Sequence, residues 1–173
     1  DPKAIRESRL NYLNAGAKIG MSLWRVFSLD LRGRAAKVSY SDVGLAKGAT
    51  LEDVTGDPNS TGNVPKPGDE GYDVSGAITL SLDTRANWRG VTTGDKYEAT
   101  LETSSPSLGS DFDYQLLSMN YTRARRVLDR HNLIMKFGAA YGRNLPFQQE
   151  LQTGGTAMRG YKNSQFRGNI KGA

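Results

Sequence analysis

The 173-residue sequence has no cysteine, a single histidine and no apolar run near the roughly 20 residues that a membrane-spanning helix requires. Without cysteine there is neither disulfide nor thiolate chemistry, a state that fits several compartments and selects none. The lone His131 falls in a turn beside Asp129 and Arg130, where it reads as a solvated residue and not as a base or ligand. The glycine-rich run 154–160 lacks the Gly-Lys-Ser/Thr ending of a phosphate-binding loop. Asp53, Asp57, Asp69, Glu70 and Asp73 match no calcium-loop spacing. The sequence thus predicts no enzyme, no metal and no cofactor. The chain opens at Asp1 without a methionine or signal-like segment, the expected start of a processed or excised chain. Its formal charge of +5 is scattered through strand-like segments and not gathered on a helix or tail, so no nucleic-acid partner is expected.

What the chain has in abundance is alternation. Six segments carry the period of two that marks a strand with unlike faces. In 13–23, Leu13, Ala15, Ala17, Ile19, Met21 and Leu23 oppose Asn14, Gly16, Lys18, Gly20 and Ser22. The segment 27–43 begins alike, with Phe27, Leu29 and Leu31 against Asp30, Arg32 and Arg34. Its phase slips at Ala35-Ala36, which predicts a β-bulge there. Further strands are expected over 74–83, 97–103, 112–125 and 133–143, with no amphipathic helix of useful length. The connections fall into two sets that alternate along the chain. Arg25, 86–95 and 126–132 form one set; the long polar stretch 44–71, 104–111 and the glycine-rich loop after Asn144 form the other. Up-and-down strands place the longest loops at one end, as outer-membrane barrels do.

Period two alone leaves the apolar face free to meet a protein core or lipid. Lys18, Asp30, Arg32, Arg34, Glu98, Glu102 and Lys136 on the polar faces suit a hydrated interior. Many small apolar residues would fill a dry core poorly. Tyr12, Trp24, Phe27, Tyr40, Tyr72, Tyr97 and Tyr141 lie near strand ends, where interfacial girdles place aromatics. A soluble sandwich or lipocalin-like barrel shares the same alternation.

The run 145–161, LPFQQELQTGGTAMRGY, resembles the sixth-loop region of the BamA/TamA superfamily of outer-membrane insertases, the bacterial surface antigen family. There a proline-aromatic element leads to a glycine pair and an Arg-Gly-aromatic tripeptide. Here these are Pro146-Phe147, Gly154-Gly155 and Arg159-Gly160-Tyr161. The upstream DTRANWRGVTTG, containing Asp83 and Arg85 and ending at Gly94, is similar to the family's Asp-Thr-Arg strand end and turn; LGSDFDY, 108–114, follows in the expected order. Ordered motifs cover about 74–170. Met158 replaces the usual β-branched residue, and the turn lacks the common Asn-Pro.

The resemblance implies an all-β, antiparallel up-and-down transmembrane barrel. Residues 1–173 would be a partial barrel domain of about six strands plus an inward-folding loop, from a sixteen-stranded whole, with no polypeptide-transport-associated (POTRA) domain among them. It implies location in the bacterial outer membrane and contact with membrane lipid. The activity implied is insertion and folding of β-barrel client proteins, with accessory lipoproteins as further partners. Arg159 would be a buried anchor, pairing with acidic side chains on strands beyond the loop; Gly160 would allow close approach and Tyr161 would pack on the inner wall. A two-partner-secretion transporter and a passive pore or surface antigen are the alternative functions.

Overall fold

The computed structural model describes residues 8–43, 69–88, 91–127, 131–153 and 166–172. Ten strands appear among them: β1 (Ser8–Ser22), β2 (Phe27–Val43), β3 (Gly71–Asp83), β4 (Ala86–Trp88), β5 (Val91–Ser104), β6 (Tyr114–Val127), β7 (His131–Arg143), β8 (Leu151–Thr153), β9 (Phe166–Gly168) and β10 (Ile170–Gly172). No α-helix occurs among the described residues. Six long strands and the short β10 form one antiparallel sheet in the order β1-β2-β3-β5-β6-β7-β10, with β1 and β10 at its open edges. Each long strand pairs with the next in sequence, β4 merely forming a small hairpin with the start of β5. The fold is therefore an open up-and-down sheet, and its connections alternate between the two ends as expected.

Register turns the sequence alternation into continuous rows. Ile19 pairs with Leu31, Leu31 with Ile78, Ile78 with Leu101, Leu101 with Leu117, Leu117 with Tyr141, and Tyr141 with Ile170. One apolar line thus crosses the whole sheet, and all seven side chains are exposed. On the opposite face, the row Asp30, Thr79, Thr100 and Ser118 is polar. Paired rows of this kind are where a sheet gains its side-chain stabilisation, because directly opposed residues lie within contact.

The predicted bulge at Ala35-Ala36 is absent. Ala35 opposes Ala15 and Val74, and Ala36 opposes Asn14 and Asp73, without a break; the shift in this strand pair lies between Ser8 and Arg9. It is the apolar pattern that changes face, not the strand. Val38 is thereby carried onto the polar face, where it forms a small core with Phe112 and Tyr114, joined by Tyr40 and Leu145. Loop residues cover the sheet at that end, so an apolar side chain is favoured there.

Two aromatics assigned to girdles are likewise on the polar face. Tyr12 accepts a hydrogen bond from Arg34, and Tyr40 packs edge-on against Phe147 with ring centroids 5.9 Å apart. Tyr12 falls on that face because β1 begins before its alternation suggested, and Tyr40 because it follows Val38 onto the face that the loop residues cover. The turn between β3 and β5 depends on Gly94, whose φ of +120° lies in a region that side chains disfavour. A Cβ there would stand 2.6 Å from the Thr84 carbonyl oxygen, the close approach that lets Thr84 and Asp95 exchange three hydrogen bonds.

Candidate functional site

The polar face carries a closed ionic network around Arg34. Arg34, Ser75, Ser104 and Tyr114 form one cross-strand row over β2, β3, β5 and β6. Glu102 lies two residues from this row on β5, and Asp73 two residues from it on β3. Glu102 stands two strands from the arginines, about 10 Å at ordinary strand spacing. Small side chains at Ser75 and Ala77 leave room for Arg34 and Arg32 to cross β3 and reach it.

Arg34 Nη2 lies 2.9 Å from Asp73 Oδ2, 3.1 Å from Glu102 Oε1 and 2.9 Å from the Tyr114 hydroxyl. Its Nε donates to Ser75 Oγ at 3.2 Å and its Nη1 to the Tyr12 hydroxyl at 2.9 Å. Arg32 forms a second ion pair with Glu102. The Asp73 side chain is fully buried and that of Glu102 is 7% exposed. Two buried carboxylates therefore face two guanidinium groups, the balance that makes burial of such charge tolerable.

Loops from one end of the sheet close over this network. Ser104 Oγ lies within hydrogen-bond distance of Asp73 Oδ1 and Ser110 Oγ and donates to the Val74 carbonyl, while Ser110 Oγ reaches the Tyr72 carbonyl. The 108–114 segment is thus tied across the start of β3. From the far side, Pro146 is buried and leads into the short 3-10 turn Phe147–Gln149. Oriented so that its oxygen meets donors, the Gln149 amide accepts from Arg34 Nη1 at 2.9 Å and Nη2 at 2.7 Å. The chain leaving β7 consequently crosses the polar face as far as β2, four strands away in the sheet order. At this end of the sheet the polar face is the covered one.

The opposite end holds the second expected element. Arg85 grips Asp83 through two parallel hydrogen bonds, Nε to Oδ1 at 2.8 Å and Nη2 to Oδ2 at 2.7 Å. That bond holds the Arg85 guanidinium above its ordinary pKa. The pair is local, two residues apart and partly exposed, so it shapes the turn and does not join the Arg34 network.

No family model and no curated protein matches the chain. The site must be read from its residues. Pro146 is buried and Phe147 packs against Tyr40 on the polar face, whereas Asp83 and Arg85 lie at the other end of the sheet. Gly154, Gly155, Arg159, Gly160 and Tyr161 lie outside the described residues. The loop that contains them is flanked by β8 and β9, which pair as a small hairpin.

Sequence reading missed Arg34, Asp73, Glu102 and Tyr114 as a unit. Each was visible as a charged or aromatic residue, but Asp73 was grouped with acidic residues of the preceding loop. The usable signal was the small residues at Ser75 and Ala77 between opposite charges on neighbouring strands, and it has meaning only once the register is known.

Proposed function

We propose that this chain is part of the wall of an outer-membrane β-barrel of the BamA/TamA kind, whose task is to insert and fold other β-barrel proteins. The observation that carries the membrane reading is the unbroken exposed row from Ile19 to Ile170, opposite a face on which Arg34, Asp73 and Glu102 are paired and covered. A soluble protein rarely leaves an apolar patch of more than a few hundred Å² uncovered, and an apolar row across seven strands is such a patch. The described core is correspondingly small, its largest members being Val38, Phe112 and Tyr114.

Dimensions agree with this reading. On β3 the apolar face runs from Tyr72 to Leu82, ten residue steps or about 33 Å along the strand. A tilt of about 40° reduces that to about 25 Å, the height of a barrel's apolar band. At the turn end the band finishes in an aromatic row, Tyr97, Tyr121 and Phe137, with stacked rings. The crossing of the polar face by the segment after β7 supports the likeness to an inward-folding sixth loop.

The insertase role rests on the Pro146-Phe147, Gly154-Gly155 and Arg159-Gly160-Tyr161 resemblance. Under it Arg159 anchors the loop and no residue performs covalent chemistry. The test is a folding assay with the full-length protein in liposomes and a urea-denatured β-barrel client. The expected result is faster client insertion than into empty liposomes, lost in Arg159→Ala. Ion conduction without any acceleration of client folding would instead identify a passive pore.

A further inference from the structure

The apolar face is not uniform. Near the turn end it contains a groove of about 490 Å³, in the size range of small-molecule sites. Its origin is readable in the register. Leu80, Ala99, Met119 and Ala139 form one cross-strand row, and Leu82, Tyr97, Tyr121 and Phe137 form the next. The alanines leave a low floor beside an aromatic wall. Tyr97 and Tyr121 stack with centroids 4.7 Å apart, which fixes the wall in place.

The same face becomes basic immediately beyond the wall. Along β6 it presents Met119, Tyr121, Arg123 and Arg125 in turn. Arg123 stands 3.8 Å from Asp95, which also accepts a hydrogen bond from the Tyr121 hydroxyl at 2.8 Å. Arg125 is exposed. Apolar, aromatic and cationic groups therefore follow one another along a single strand, in the order of chain, ester region and headgroup in an anionic amphiphile.

We propose that this groove binds one anionic phospholipid, with an acyl chain over Ala99 and Ala139 and the phosphodiester held by Arg123 and Arg125. The proposal rests on the membrane reading above. Charge complementarity selects the occupant: a neutral lipid would leave the basic end unused, and a second copy in the same bilayer, related by a two-fold axis along the membrane normal, would bring like-charged ends together. Asp95 offsets much of Arg123, so the net attraction is that of about one basic residue near a lipid surface, equivalent to about fivefold in binding.

The full-length protein, reconstituted in equal phosphatidylglycerol and phosphatidylcholine and examined by native mass spectrometry, provides the test. One phosphatidylglycerol should be retained about fivefold more often than phosphatidylcholine. Arg125→Gln, which leaves Arg123 balanced by Asp95, should bring the two lipids to parity, while Ala139→Phe, which fills the floor, should reduce retention of both. Equal retention in the unaltered protein, insensitivity to Arg125→Gln, or a dimer dispersed by Ala139→Phe would each overturn the proposal. These results leave the membrane reading standing, because the protein has entered the bilayer; failure to enter bilayers at all would overturn both.

Discussion

Arg34→Ala is expected to destabilise the fold by about 3–5 kcal/mol, the usual cost of removing one partner from a buried ion pair. The cost arises from what is left behind. Asp73 would keep a fully buried carboxylate without its guanidinium, and Glu102 would lose one of its two guanidinium partners. Tyr114, Tyr12, Ser75 and Gln149 would lose a donor at the same time. Lys18→Ala supplies the contrast. Lys18 pairs with Asp30 at 2.8 Å, but its side chain is 60% exposed, so the expected loss is at most about 1 kcal/mol. Urea titration of the full-length protein, followed by tryptophan fluorescence, measures both. Asp73→Asn added to Arg34→Ala should cost less than the two single changes summed, since it removes the stranded charge. Equal effects of Arg34→Ala and Lys18→Ala would mean that the network is hydrated and contributes little.

Leu101→Arg is the second large effect, and its size depends on what the apolar face meets. Leu101 lies in the middle of the exposed row, half exposed, between Ile78 and Leu117. Facing lipid near the bilayer midplane, an arginine there costs about 2–4 kcal/mol. On a water-exposed surface the same change would stay within about 0.5 kcal/mol. Thr100→Arg, one residue away on the polar face, controls for strand propensity. Folding titrations in bilayers should separate the two variants by at least about 2 kcal/mol; equal stabilities would place both faces in water.

The strands were legible because period two survives without knowledge of partners. Leu13 to Leu23, and Leu133 to Tyr141, declare their faces directly. Their ends were less legible: β5 begins at Val91, within a stretch read as a link, because its first three residues pair only with β4 and the strand joins the main sheet from Gly94. The false bulge at Ala35-Ala36 has a related cause. Alternation reports the polarity of surroundings, and Val38 changes surroundings where Phe112 and Leu145 cover the polar face.

The Arg34 network could not be read in advance, since it depends on which residues of β3 lie between Arg34 and Glu102. The Arg85–Asp83 pair differs in kind, being a contact that spans two residues and needs no long-range register.

The row from Ile19 to Ile170, proposed to face lipid, is open to direct measurement. No native cysteine within these 173 residues competes with single cysteines placed in turn at 97–101 of β5 and spin-labelled in the full-length protein in liposomes. Collision with oxygen, which concentrates in lipid, should peak at Tyr97, Ala99 and Leu101, while collision with a water-soluble nickel complex should peak at Glu98 and Thr100. Equal access of the nickel complex to Ala99 and Leu101 would contradict the account.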